Sequence, residues 1–463
     1  MTASAAPGRS VLWVTLESVR QDRTSLAGAD RPTTPTLAAL ADRPTASASA
    51  RCYSHDVWTR ASTASILTGL PSSGHRTWHR DAKLAESIAT VPEAFRTAGY
   101  RTIGVSGNPQ FSAAAGLDRG FETFDDVRYG QLLRVCGPAA LARYVLQLRR
   151  HSAGFTTDTV RHSKGYLLNR VTDRRFREAA ADDRPAFVYV HHPDTHHPYV
   201  PPQRYRDRFL PGAGAEAVDA TVDVSANLHE RVAEGLPLSD REWRWLEGCY
   251  DATLAYVDEL IGDLIERARE RLDDPIVVVT ADHGEFLGEH GLLAHMLATD
   301  PPVANVPLVV DGLPALPDDE VVQHADVMAT LGSVLDVDLD VPAGIDYRTG
   351  RPYAVTERGP ERAAAKLEAV RDHEPAYEND RLSTAYEASL FDAGGRYRTD
   401  PDWEGVRRIA GDDTGPGTGT EPAPAASDWF AAWRDRHGEA SAAPAEASFS
   451  TAVESQLRDL GYL

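Results

Sequence analysis

Three apolar runs end on residues able to bind a cation or move a proton, and this recurrence constrains the fold more than any other feature. Ile276-Val277-Val278-Val279 runs into Thr280-Ala281-Asp282-His283-Gly284-Glu285-Phe286. Val11-Leu12-Trp13-Val14-Thr15-Leu16 stops at Glu17-Ser18, and Phe187-Val188-Tyr189-Val190 runs into the histidine-rich stretch from His191 to Tyr199. Buried β-branched strands of this kind belong to a sheet covered on both faces, and in open α/β sheets ligands bind at the carboxyl edge. Asp282 and His283 are adjacent, so both reach one ion only if the backbone turns sharply, which Gly284 is expected to permit. A fourth segment, Trp58 to Leu70, places Thr59 ahead of small residues that close at Gly69, a glycine suited to a helix C-cap. Thr59 would then sit at the amino end of a helix, where the dipole favours an anion. The bland alternative, a strand ending in a capping Asp beside a solvated His, explains any one of these segments but not their recurrence.

Strands alternate with amphipathic helices along the chain, which predicts an α/β fold with a mostly parallel sheet sandwiched by helices. The clearest helix carries Leu246, Tyr250, Leu254, Val257, Ile261 and Leu264 at intervals of three and four. It reaches the Ile276 strand through Asp273-Asp274-Pro275, a turn signal. Residues 203–240 read as an insertion. Past about residue 350 the pattern changes to short strand-like pieces such as Ala385 to Phe391. The expected division is therefore a catalytic α/β domain over 1–350 and a small α+β subdomain over 351–463, with a flexible loop near 411–424.

In this order, the segments resemble the sulfatase branch of the alkaline phosphatase superfamily, and the resemblance spans most of the chain. Thr33 to Ala41 is similar to the family's first helix, Ala98-Gly99-Tyr100-Arg101-Thr102 to its helix-to-strand turn, and Gly288-Glu289-His290-Gly291 and Val306-Pro307-Leu308-Val309-Val310 to the segments after the Asp-His pair. The ending, Leu457 to Leu463, is similar to a common family terminus. Sulfatases of the formylglycine type carry Cys or Ser, any residue, Pro, Ser and Arg ahead of the Thr-Gly pair. Here those positions are Thr59, Arg60, Ala61, Ser62 and Thr63. Threonine bears a methyl on Cβ and cannot yield the aldehyde, so formylglycine is not expected.

The remaining pattern resembles the Thr-nucleophile branch, which includes the lipoteichoic acid synthases. The resemblance implies Thr59 as nucleophile and Glu17, Thr59, Asp282 and His283 as ligands of one divalent cation. Mixed oxygen and nitrogen ligation favours Mn²⁺, with Mg²⁺, Ca²⁺ or Zn²⁺ as alternatives. A divalent cation lowers the cost of ionising a hydroxyl that is otherwise a poor nucleophile at neutral pH. The resemblance further implies His196 as general acid, His295 at a second basic position, and Asn108 and Arg60 in substrate binding. His191, His192 and His197 are expected in supporting or surface positions.

Composition bounds the partners. The net charge of −21 argues against nucleic acid as a main ligand, and only Lys83, Lys164 and Lys366 are lysines among 48 basic residues. Such an acidic, lysine-poor surface resembles proteins of halophiles. Cys52, Cys136 and Cys249 have no metal-type spacing and suit a reducing compartment. With no long apolar run and no recognisable leader, the expected location is cytoplasmic. Against this background, Arg143, Arg149, Arg150, Arg161, Lys164, Arg170, Arg174, Arg175 and Arg177 form a local basic excess. This stretch is read either as a salt-bridged helical cover or as a dock for an anionic polymer, a lipid head group or a nucleotide-linked donor.

The expected activity is therefore metal-dependent cleavage of phosphate or phosphonate esters through a covalent Thr59 intermediate, on an anionic ester substrate, with polymeric and lipid-linked esters among the candidates. Two alternatives stand beside it: a sulfuric ester hydrolase that works without formylglycine, and a non-catalytic binding module that retains the fold.

Overall fold

The computed structural model describes residues 8–29, 31–296, 298–379, 381–399, 405–409, 420–438 and 445–446. Residues 411–419 of the expected loop and the Leu457–Leu463 terminus lie outside them. Eight strands form the main sheet: β1 (Val11–Leu16), β2 (Ala46–Tyr53), β3 (Arg101–Ser106), β4 (Thr123–Asp126), β5 (Ala186–His192), β6 (Ile276–Ala281), β7 (Asn305–Asp311) and β8 (Val322–Gln323). Their spatial order is β8-β2-β7-β6-β1-β5-β3-β4. From β6 through β4 all neighbours run parallel, whereas β7 is antiparallel to both β6 and β2. Every residue of β1, β5 and β6 is buried, as their unbroken apolar sequences require of strands covered on both faces.

The helices used below are α1 (Pro35–Ala41), α2 (Thr59–Thr68), α3 (Leu132–Cys136), α4 (Pro138–Leu146), α5 (Leu148–His151), α6 (Gly165–Ala179), α7 (Asp240–Arg271), α8 (Pro360–Arg371) and α9 (Pro424–His437). In α7, a capping box joins Ser239 and Glu242, and the periodic residues from Leu246 to Leu264 are all buried. Its Asp258 also caps α1, accepting from the backbone N–H groups of Thr36 (2.8 Å) and Leu37 (3.0 Å). Residues 203–240 are largely helical, with Gln203–Phe209 and Glu216–Ala226 resting beside α7 and Leu228–Ala233 beside α8.

A second, antiparallel sheet follows, made of β9 (Ala354–Arg358), β10 (Glu387–Phe391), β11 (Arg396–Thr399), β12 (Val406–Ile409) and β13 (Thr420–Pro422) in sequential order. Phe430 and Trp433 of α9 pack on it against Val355, Leu390 and Val406. The two sheets meet at a bridge between Asp56 and Glu357, where the Glu357 N–H donates to the His55 carbonyl at 2.9 Å. This junction lies three residues before Thr59, so the second sheet is built onto the same edge as the candidate site.

Candidate functional site

Strand register explains how distant segments converge. Leu16 of β1 pairs with His192 of β5 on one side and Ala281 of β6 on the other, while Ser106 of β3 pairs with His191. The residues that immediately follow or end these strands are Glu17, Asp282, His191, His192 and, two steps on, Asn108. Parallel pairing in this register places them all along one carboxyl edge. Glu17 N–H donates to the His192 carbonyl (3.1 Å) and Asp282 N–H to the Leu16 carbonyl (3.1 Å), which extends the ladder into the site.

Helix α2 begins at Thr59, with Trp58 as extended N-cap, and ends at Gly69 in the left-handed region, as the sequence implied. The Thr59 hydroxyl lies 3.2 Å from Glu17 Oε1 and 3.4 Å from His283 Nε2. His283 Nε2 is 3.6 Å from Asp282 Oδ2. Asp282 Oδ1 accepts from the N–H groups of Ser18 (3.1 Å) and His283 (2.9 Å), which fixes its carboxylate plane. Glu17, Thr59, Asp282 and His283 are thus brought together, and all four are fully buried. Asn108 Nδ2 donates to Glu17 Oε1. Burial alone would raise the Glu17 pKa, but His196, His191 and His283 outweigh it and hold the carboxyl at about 2.

Hydrogen bonds decide which imidazole nitrogens carry protons. A carbonyl oxygen only accepts, so His283 Nδ1–H donates to the Gly284 carbonyl (2.8 Å), and the tautomer that leaves Nε2 bare turns that nitrogen toward Thr59. Likewise His196 Nδ1–H donates to the His197 carbonyl, which leaves Nε2, 4.0 Å from Glu17 Oε1, as an acceptor. Burial lowers the His196 pKa against the pull of Glu17. In this state His196 is a base or ligand, and it serves as the expected acid only after taking up a proton. His295 Nδ1 meets Glu285 Oε1 at 3.1 Å, and its ring lies 4.8 Å from that of His283.

The donor set suits a cation. Glu17, His191 and Asp282 each offer an atom within 4.8 Å of the others. Asp282 Oδ2 and both ring nitrogens of His191 are buried with no hydrogen-bond partner among the described residues. Such orphaned lone pairs around a carboxylate pair are what a metal ion satisfies. His191, expected in a supporting or surface place, is fully buried at 3.6 Å from Glu17 Oε2 and 3.9 Å from Asp282 Oδ2. The surface placement also fails for His192 and His197, both buried. A second group with ligand atoms equally close, His196, His197 and His295, lies beside the first and was not legible as a set in the sequence.

Three further corrections follow. Arg60 does not extend toward a substrate: it is fully buried, its Nε donates to Gln110 Oε1 (2.8 Å) and its Nη1 to the Ala82 carbonyl (2.8 Å). Gly284 is not required by a left-handed turn, since its φ is not positive. It is required because a Cβ there would stand 2.1 Å from the Pro302 carbonyl oxygen. The basic segment is mostly a salt-bridged cover. Arg150 pairs with Glu259 (2.8 Å), Arg161 with Asp219 (2.6 Å), Arg170 with Asp173 (3.7 Å), Arg174 and Arg175 with Asp125 (3.7 and 2.6 Å), and Arg177 with Asp173 (3.4 Å). Arg143 and Arg150, expected on one helical face, fall on separate helices, α4 and α5.

Cations that sequence motifs did not assign to the site surround it. Lys164 is buried, donates to the Gly107 carbonyl (2.8 Å), and lines a cleft with Glu17, Asn108, Asp194 and His196. On α8, Arg362 lies over the Trp58 ring at 4.0 Å, one residue from Thr59, and Lys366 Nζ lies 3.4 Å from His229 Nε2. Burial and Arg362 together push Lys366 down to about 7. The spacing of four in an α8 sequence that fits no motif was the one available signal.

Comparison with known proteins identifies the family and supports the fold. The sulfatase family profile matches residues 9–337. A choline-sulfatase of Rhizobium meliloti is 28% identical over 310 residues, 60% of this chain and 58% of that protein, so this chain covers less than two thirds of that relative's length. Among solved structures, the phosphonate monoester hydrolase of Agrobacterium radiobacter superposes with a TM-score of 0.66 at 19% identity, covering 92% of this chain and 93% of that one. The C-terminal periplasmic domain of EcEptC from Escherichia coli, in complex with zinc, superposes with a TM-score of 0.51 at 17% identity over 73% and 85% of the two chains. With its profile matched over most of its length, the chain belongs to the sulfatase family.

Proposed function

We propose that this protein is a metal-dependent hydrolase or transferase that cleaves phosphate or phosphonate esters through a covalent intermediate on Thr59. One observation carries the reading: a buried threonine hydroxyl, at the first position of α2, lies between Glu17 Oε1 and the bare Nε2 of His283. That is the place of the formylglycine precursor in related sulfatases, and threonine cannot become formylglycine.

Glu17, Asp282, His283 and His191, with the Thr59 oxygen, would hold a divalent cation, whose charge favours ionisation of the hydroxyl and steadies negative charge on the transferring group. The protein's own groups do the rest. Glu17, whose Oε1 already accepts from the Thr59 hydroxyl, is positioned to take its proton, and the amino end of α2 favours an anion above it. Thr59 Oγ1 then bonds to phosphorus as the ester oxygen departs. The departing oxygen takes a proton from His196 or His295 once either ring has been charged. Water or an alcohol next attacks phosphorus and frees Thr59. The phosphonate monoester hydrolase likeness supports this substrate class.

The test is purified protein assayed against matched aryl phosphate monoester, diester, phosphonate and sulfate substrates across a divalent-metal series. Thr59→Ala runs in parallel, and intact mass is recorded after acid quench. Turnover of phosphorus esters with an adduct on the wild type and none on the variant is expected. Undiminished turnover in Thr59→Ala, or activity confined to the sulfate ester, would overturn it.

A further inference from the structure

Salt bridges account for the far part of the basic segment, from Arg161 onward, but not for its beginning. Between Val127 and Thr157 the chain has five arginines and no carboxylate, although it carries 69 acidic residues overall. Arg128 pairs with Asp126 (2.7 Å) and Arg150 with Glu259 (2.8 Å). Arg134, Arg143 and Arg149 are exposed and form no ion pair among the described residues.

The same stretch holds nearly all the exposed large apolar side chains of the described residues. Leu133 is 66% exposed, Val145 64%, Leu146 85% and Phe155 78%; the fifth, Val334 at 39%, lies in another helix. These side chains are not loosely placed. Val135 and Tyr144 are buried on the inner side of α3 and α4. The Tyr144 hydroxyl contacts the carbonyls of His151 (3.1 Å) and Ser163 (3.0 Å), and Arg174 Nη1 donates to the Val135 carbonyl (2.8 Å). The short helices are thus pinned to α6 while they hold leucine and valine outward among arginines, with Phe155 exposed in the loop that follows α5.

From this juxtaposition we propose that the α3–α5 cover docks on an anionic lipid bilayer. A mixed apolar and cationic face is how a peripheral protein enters the headgroup region, burying apolar tips while arginines meet phosphates. The remaining carboxylates do not prevent this, because at physiological ionic strength charges are screened over about 8 Å and the local face governs contact. A second copy of the chain fits less well, since pairing this face with itself would oppose arginine to arginine. The cover also adjoins the active cleft: Tyr129, at its start, and Val160, just beyond it, line the cleft that contains Glu17, Asn108 and Lys164. Docking would therefore present that cleft to the membrane surface, although the docking itself does not depend on the chemistry at Thr59.

Flotation of the intact protein with vesicles tests the proposal. One set contains phosphatidylcholine with roughly 30 mol% phosphatidylglycerol, which makes the surface negative, and the other phosphatidylcholine alone. Co-flotation with the anionic vesicles only, at 0.1 M salt, is expected. Two variants, Arg134→Gln/Arg143→Gln/Arg149→Gln and Leu146→Ser/Phe155→Ser, alter exposed side chains and should keep the wild-type Tm. Losing three arginines should weaken partitioning on the order of a hundred-fold, and the serine pair should also release the protein. No flotation of the wild type, equal flotation with both vesicle types, or variants that float like the wild type would overturn the proposal. So would a wild-type dimer that Leu146→Ser/Phe155→Ser converts to monomer, which would assign the face to self-association. Since flotation requires no turnover, failure here is distinguishable from failure of the Thr59 mechanism.

Discussion

Gly284→Ala isolates the geometric demand that the Asp-His pair makes on its surroundings. An alanine Cβ at this position would stand 2.1 Å from the Pro302 carbonyl oxygen and 3.0 Å from its carbon. Ordinary contacts begin near 3.4 Å, so the two backbones must part by about 1 Å. They cannot part without cost, because Gly284 N–H donates to the Val303 carbonyl (2.7 Å) and Glu285 N–H to the Pro302 carbonyl (2.9 Å). Overpacking of this kind costs about 1–3 kcal/mol of stability. The displacement also falls next to His283, whose Nε2 is 3.4 Å from the Thr59 hydroxyl. Misplacing a reacting group by about 1 Å lowers turnover on the order of a hundred-fold.

The assay pairs thermal unfolding with hydrolysis of the best aryl ester found in the substrate series, and uses Gly154→Ala as control, where a Cβ meets nothing within 4 Å. The expected result is a Tm lowered by several degrees and a large loss of kcat for Gly284→Ala, with neither change in the control. Wild-type Tm and kcat in Gly284→Ala would refute the close-approach argument.

Thr59→Ala should abolish turnover while leaving Tm near wild type, and Thr59→Ser should retain part of the rate; equal rates in all three would remove Thr59 from the mechanism. Chelation should lower both activity and Tm, since a ligand held only by the folded state adds stability in proportion to the logarithm of its concentration; a Tm indifferent to chelator and added metal would argue against a resident ion. Burial raises the Asp56 pKa to about 8. The native state therefore holds a proton that the unfolded chain gives up near pH 4, and stability falls as pH rises from there toward 8, by at most about 1.4 kcal/mol per unit. Asp56→Asn removes this dependence, so its Tm advantage over wild type should grow between pH 5 and 8, as scanning calorimetry would show. Self-repulsion from the net charge of −21 predicts a Tm that climbs from low to molar KCl; a flat profile would detach the acidity from stability.

The amino-acid sequence by itself determined the parts governed by local patterns. Unbroken apolar runs gave β1, β5 and β6, the three-and-four spacing gave α7, and small residues closing on Gly69 gave α2 with Thr59 at its start. Because parallel strands in a covered sheet have one carboxyl edge, those runs also implied that Glu17, Asp282 and the histidines after Val190 share a side of the molecule. Register and packing decided the rest. Only the pairing of Leu16 with both His192 and Ala281 selects His191, rather than a neighbouring histidine, to face Glu17 and Asp282. Arg60 reads as a substrate residue by its place beside Thr59, yet the helix turns it inward to Gln110. Arg362 and Lys366 lie some three hundred residues from Thr59 and fit no motif; α8 brings them to the site because the second sheet is joined at Asp56 and Glu357. Which arginines of the basic segment find carboxylates is likewise a matter of tertiary neighbours, since Asp125, Asp219 and Glu259 come from other elements. A local pattern fixes which way a residue points within its own strand or helix, but the partner it meets across the fold is set by how those elements pack.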